Sequence, residues 1–262
     1  MQNCERVTRS GAVLEKEYYP VSENARNIGR SKPEPENVRT PEEKARYNRY
    51  KSEKHFIRLI NTNFRSGDYY VTLTYNDGHL PESYEEAQKN IDNYIRRLRY
   101  SNPNAKIVAV TGHGKSTGRL HHHLIISGVS ESDIISKWTF GSIIKSEPLR
   151  EHNEYNGIDH GEDFTALAVY MHKHTPEEYK GKRWKQTKNI LQPITEKPKK
   201  VRRVYSPDHP PKAPQGYMLV ETRKSEFYKS GYVYFKYVRI PQEQLDIQPI
   251  FQYHRAGAAA RL

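Results

Sequence analysis

The chain has 262 residues, enough for one large domain or two small ones. Its 43 lysines and arginines against 31 acidic residues leave a formal charge of +12, and 20 tyrosines are interleaved with them, a profile suited to phosphate backbones and stacked bases. A single cysteine, Cys4, excludes internal disulfides and cysteine-built zinc or iron–sulfur centres; no apolar run is long enough to span a membrane, and the polar start lacks a signal-peptide core, so a cytoplasmic location is expected.

Residues 1–39 carry Pro20, Pro33 and Pro35 among polar residues without sustained periodicity, and read as an extended N-terminal arm with room for one hairpin. Thr40-Pro41-Glu42-Glu43 then opens a helix, with a capping threonine, proline in the first turn and acids at the positive end of the dipole. Phe56, Ile57, Leu59, Ile60 and Phe64 give it an apolar face, and Lys44, Arg46, Arg49, Lys51 and Lys54 make the rest basic. The aromatic and β-branched run from Tyr69 to Tyr75 predicts a strand. Ser83 caps a second helix, whose apolar stripe is Ala87, Ile91, Tyr94, Ile95 and Leu98 and whose outer face is Arg96, Arg97 and Arg99.

Ile107 to Thr111 predicts another strand, joined by a short glycine-rich connection to Leu120-His121-His122-His123-Leu124-Ile125-Ile126, so the two should pair antiparallel. The connection lacks the spacing of a nucleotide-binding loop. A helix follows through Ile134, Ile135 and Trp138, then a weaker strand over 141–147. From Asp163 to His174, Phe164, Leu167, Ala168 and Met171 recur at helical spacing, predicting a helix packed on the sheet and ended by Pro176. Residues 181–198 are basic around Trp184. The run Lys197 to Arg203, with Lys199, Lys200, Arg202 and Arg203, has charge and no apolar partners, and is the expected DNA-contacting segment. After a proline-rich strap, strands are expected over 216–220 and 232–238.

Alternation along a strand sends His121 and His123 to one face and His122 to the other. Two imidazoles on one face can hold a metal ion, although such a pair alone reads equally well as a polar edge strand. Tyr170, Lys173 and His174 lie together beside the buried stripe of the later helix. A tyrosine hydroxyl can attack a phosphodiester when a divalent cation polarises the phosphate. Lys173 is placed to lower the tyrosine's pKa or to orient the phosphate, and His174 is a candidate for proton transfer.

Leu120-His121-His122-His123-Leu124 resembles the His-hydrophobe-His signature of the HUH endonucleases, and Tyr170-Met171-His172-Lys173 resembles their Tyr-x-x-Lys nucleophile motif. Val71 to Tyr75 resembles their first motif. Order and spacing are similar to replication-initiation (Rep) proteins of small circular phages and plasmids, over roughly residues 40–195. The resemblance implies an α+β fold with a central antiparallel β-sheet, an RRM-like core, and helices packed on it. It implies Mg²⁺ or Mn²⁺ held by His121 and His123, and a single-stranded or extruded DNA site nicked by Tyr170 through a 5′-phosphotyrosyl intermediate. Host helicase and polymerase would be partners, and a transposase or relaxase would share the chemistry. For the third ligand His113 is the first candidate, with Glu162, Asp163 and His160 as alternatives. His122 departs from the signature's bulky apolar residue, and His174 stands where some phage relatives carry a second tyrosine, which favours a single-tyrosine enzyme. The expected organisation is an arm (1–39), an HUH endonuclease domain (40–205) and a C-terminal extension with a hairpin (206–262).

Overall fold

The computed structural model describes residues 2–22, 28–30, 32–33, 35, 40–114, 118–142, 144–175, 181–228 and 231–241. The chain forms β1 (Gln2–Ser10), β2 (Val13–Val21), α1 (Pro41–Asn63), β3 (Tyr69–Thr74), α2 (Tyr84–Ser101), β4 (Lys106–His113), β5 (Leu120–Ser127), α3 (Glu131–Ser136) and β6 (Ile144–Pro148). A small hairpin of β7 (Glu154–Tyr155) and β8 (Ile158–Asp159) precedes α4 (Thr165–His174). Then come β9 (Lys185–Gln186), β10 (Ile194–Thr195), β11 (Lys199–Val201), β12 (Tyr217–Lys224) and β13 (Val233–Arg239).

The central sheet runs β6-β3-β5-β4-β9, antiparallel at every pairing. Its strands are apolar on both faces because both faces are covered. Val71, Leu73, Ile107, Leu124 and Ile126 pack against Ile91, Tyr94 and Leu98 of α2 and Ile134 of α3. On the opposite face Val108, Val110 and Ile125 meet Phe56, Leu59 and Ile60 of α1 and Ala168 and Met171 of α4. Each fully buried aliphatic or phenyl side chain in these layers contributes roughly 1.5–3 kcal/mol. The fold is therefore α+β, helices packed on a central antiparallel sheet. Helix α1 begins where the capping pattern places it: Glu43 N–H donates to Thr40 Oγ1 and the Glu43 carboxylate accepts from Thr40 N–H.

Residues 2–21 depart from the expected extended arm. They form the β1–β2 hairpin at the centre of a second sheet, ordered β10-β1-β2-β13-β12, with β11 also on β1. The two ends of the chain thus meet, Val13 opposite Val238 and Tyr18 opposite Val233. Leu14 and Tyr18 pack on Phe235 and Tyr237 on one face. The other face sends Glu15 and Glu17, both buried, toward α1. There Lys54 sits 2.6 Å from Glu17, Arg58 pairs with Glu15, and the Tyr232 and Tyr234 hydroxyls donate to Glu17 and Glu15 at 2.8 Å. Burial alone would raise the Glu17 carboxyl, but Lys54, Arg6 and Arg58 outweigh it and hold it well below the usual carboxylate range. The Glu-Lys-Glu run that disguises β2 as a solvated segment is a buried ionic layer.

Lys236 of β13 extends that layer to α4. Its ammonium donates to Asp163 Oδ2 at 2.6 Å and to Thr165 Oγ1 at 2.8 Å, while Asp163 Oδ1 accepts from the Thr165 N–H and hydroxyl. Burial opposes the Asp163 charge, and His160, Lys236 and Thr165 overcome it, so the carboxyl stays well below its ordinary value. Asp163 thus anchors the start of α4 to the terminal sheet. Lys236→Met leaves that carboxylate buried and unpaired, and is expected to cost about 3–5 kcal/mol of folding stability. Urea denaturation measures this; a loss under about 1 kcal/mol would show that the pair does not hold the layers together.

Lys199–Val201 is an edge strand on β1 (Cys4 opposite Lys200), and Val201 packs on the terminal-sheet core, so the basic run has an apolar partner after all. Lys199, Lys200, Arg202 and Arg203 themselves are exposed. Among the described residues no helix is long and apolar enough to cross a membrane. Residues 242–262 of the expected C-terminal extension lie outside the described residues.

Candidate functional site

Strand β5 is central, paired with β3 on one side and β4 on the other. In that register His121 stands opposite Thr74 and Gly112, and His123 opposite Thr72 and Val110. Residues facing one another across antiparallel strands share a face, so His121 and His123 lie on the α1–α4 side. His122 points the other way and is fully buried. The Tyr75 hydroxyl lies 2.7 Å from its Nε2 and the Thr111 hydroxyl 2.8 Å from its Nδ1. Both ring nitrogens are occupied, and burial, with His121 and Lys185 adding to it, lowers its pKa to about 3. His122 is a neutral core residue, not a competitor for an ion.

Helix α4 delivers a third imidazole. Among the described residues, His121, His123 and His174 form a group whose ligand atoms all lie within 4.8 Å of one another. The His121 and His123 Nε2 atoms are 3.0 Å apart, and the His123 and His174 ring centroids 4.4 Å. Metal–nitrogen bonds of about 2.0–2.1 Å place neighbouring ligands near the first of these separations. Each ring is held from behind through Nδ1. His121 Nδ1–H donates to the Arg119 carbonyl at 3.3 Å, and His174 Nδ1–H to the Tyr170 carbonyl at 2.8 Å. His123 Nδ1 lies 2.7 Å from the Tyr70 hydroxyl and 3.2 Å from that of Thr72. Carbonyl acceptors fix the proton on Nδ1 of His121 and His174 and leave Nε2 lone pairs facing inward, the arrangement of metal-ligating histidines. Burial, then neighbouring His121 and His174, lowers the His123 pKa to about 3, and burial lowers that of His121 as well. Both rings are neutral at pH 7, as ligation requires. This triad can hold a metal ion.

Tyr170 precedes His174 by one helical turn, its ring 4.3 Å from His174 and 5.3 Å from His123. It is 48% exposed, open to a large substrate. Lys173 is on the same helix and exposed. Sequence reasoning missed Tyr70, whose ring stacks on His123 at 5.8 Å. Burial, opposed by Thr72 and reinforced by Tyr170, pushes its hydroxyl up to about 12. The available signal was parity: Tyr70 and Thr72 share a face of β3, which pairs with the histidine strand.

The other expected ligands lie elsewhere. His113 stands opposite Leu120, which shares the face of His122, so His113 is turned away from the triad; it is exposed, 6.3 Å from the Tyr84 ring. Asp163 is committed to Lys236, and Glu162 accepts from the Ser66 N–H at 2.7 Å. His160 lies 3.5 Å from Asp163. The run with Lys199, Lys200, Arg202 and Arg203 belongs to the terminal sheet rather than to the strands that carry the triad.

Residues 68–177 match the family model for replication-associated proteins of the ORF2 type. The match supports a Rep-like, replication-associated protein. It starts at β3 and ends just past α4, so it contains the triad, Tyr170 and Lys173, while both terminal hairpins lie outside it. Among curated proteins none matches the chain. Among solved structures it is similar to the hypothetical protein ORF119 from Sulfolobus islandicus rod-shaped virus 1, with 15% identity and a TM-score of 0.32, over 49% of this chain and 97% of that one.

Proposed function

We propose that this protein is an HUH-type replication initiator that nicks and rejoins single-stranded DNA through Tyr170. The observation that carries the reading is the convergence of His121, His123 and His174 beside an exposed tyrosine on the same helix as His174. The Tyr170 oxygen bonds to the scissile phosphorus and the bond from phosphorus to the 3′ oxygen breaks. The phenolic proton passes to water, and water protonates the departing 3′ oxygen. The product is a 5′-phosphotyrosyl strand and a free 3′-hydroxyl that a host polymerase can extend; reversing the attack rejoins the ends.

The triad would hold a divalent ion, which supplies charge neutralisation at the phosphate oxygens. Mn²⁺ suits three imidazoles better than Mg²⁺, which favours oxygen ligands. Tyr70 and Thr72 orient His123, and Lys173 serves the phosphate one turn beyond Tyr170. Residues 40–205 carry the chemistry, and the terminal hairpins brace α4 through Lys236. Lys199, Lys200, Arg202 and Arg203 would contact flanking DNA. No nucleotide-binding loop is present in the sequence, so unwinding falls to a host helicase.

The test is a covalent-adduct assay with full-length protein and 3′-labelled single-stranded oligonucleotides tiled across the DNA around the coding sequence. An adduct that requires Mn²⁺ or Mg²⁺ and falls to background in Tyr170→Phe is the expected result. Undiminished adduct in that variant would overturn the nucleophile, and no adduct with any oligonucleotide would leave only a binding module.

A further inference from the structure

Between α2 and the segment after α4 lie two adjoining grooves. One, of about 860 Å³, is lined by Ser52, Gln88, Lys182, Arg183, Trp184 and Lys185. The other, of about 520 Å³, is lined by Arg96, Arg99, Tyr100, Pro103 and Lys188 among others. They share Asp92 and Gln186, so they form one continuous path. Asp92 is neutralised by an ion pair with Lys185, which leaves the path basic. At its far end Tyr100 is 90% exposed, a large ring with no core to serve.

We propose that this path is a binding track for single-stranded nucleic acid, with phosphates on its arginines and lysines and an unpaired base stacked on Tyr100. The inference rests on the nuclease reading above and says where the strand runs beyond the reacting phosphate.

The backbone bearing the basic side chains is fixed. Strand β9 extends the central sheet, with Gln186 opposite Val108. Thr187 exchanges hydrogen bonds with Ile107, its N–H donating to the carbonyl at 3.0 Å and its hydroxyl accepting from the N–H at 3.1 Å. Asn189 donates to the Asn104 and Ala105 carbonyls, and Ile190 is buried. Lys182 and Lys188 are exposed on this pinned segment. At the near end, the Thr175 hydroxyl donates to the Arg183 carbonyl at 2.9 Å and Arg183 returns a bond to the Thr175 carbonyl at 3.4 Å. Thr175 directly follows His174, so the track begins where the triad ends. A pinned basic groove with a stacking ring selects a flexible, unpaired strand, because a base inside a duplex has no free face to offer Tyr100.

The experiment is fluorescence anisotropy of the full chain with a labelled mixed-sequence single-stranded oligonucleotide, in EDTA so that no nicking occurs. Tyr100→Ala is expected to weaken binding about ten-fold, the loss of one stacked base. A variant combining Arg96→Gln, Arg99→Gln and Lys188→Gln should lower the slope of log affinity against log salt by about 2, since each lost phosphate contact removes about 0.7. Parent-like affinity and slope in both variants would overturn the track. So would failure of the parent to bind the strand, or capture of blunt duplex or an acidic peptide in preference to it. The adduct assay on the parent separates the two readings: binding without any adduct sinks the nuclease and leaves the track, whereas adduct with unaffected variants does the reverse.

Discussion

His174→Ala lowers divalent-ion affinity and metal-dependent adduct formation by at least about 100-fold, the upper end of what replacing a residue that merely supports a ligand costs. Isothermal titration with Mn²⁺ reads the affinity independently of activity. His113→Ala in the same titration leaves it within about two-fold, because His113 stands opposite Leu120 and faces away from the ion. The contrast is decisive. If His113→Ala lost the ion and His174→Ala kept it, the triad would be wrongly assembled and the metal would lie at the exit of β4. The reason to expect the first outcome is that His174 is doubly placed. Its Nδ1 proton is given to the Tyr170 carbonyl, so its free nitrogen faces His121 and His123. The bond also ties the ligand to the backbone of the residue proposed as nucleophile, so moving either moves the other.

The central sheet was legible because β3, β4 and β5 are dense in β-branched and aromatic residues and lie close in sequence. The His121–His123 pair follows from alternation alone, and Tyr170 from helical spacing. The third ligand was not legible, since it depends on pairing register. Shifting β4 by one residue would turn His113 toward the triad, and the intervening connection does not reveal the shift. Once the register sets Gly112 opposite His121, the face of His113 is decided. His122 looked anomalous because a histidine is polar, yet Tyr75 and Thr111 satisfy both its nitrogens, and their parity places them on its face. The terminal sheet was hidden for a different reason. Its buried layer is built from Glu15, Glu17, Lys54 and Arg58, residues whose ordinary place is solvent. Its central pairing joins β2 to β13 across most of the chain, a contact that local patterning does not encode.

Gly112→Ala is expected to reduce the rate of adduct formation about 100-fold, the cost of displacing a catalytic group by roughly 1 Å. A Cβ at this position would lie 2.7 Å from the His174 carbonyl oxygen and 2.9 Å from the His174 Cβ. Neither atom can swing aside as a flexible side-chain tip would, so the C-terminal end of α4 must lift from the sheet. Gly112 does not adopt the left-handed backbone that favours glycine, so alanine meets no strain of its own there. The whole effect falls on the contact. Overpacking of this kind typically costs about 1–3 kcal/mol, too little to unfold a domain with an extensive core. Lifting His174 also draws its Nε2 from the other two rings, so Mn²⁺ affinity should fall with the rate. A parent-like rate and affinity in a folded Gly112→Ala protein would mean that α4 tolerates the methyl group. The close approach of helix to sheet would then not be what sets the site.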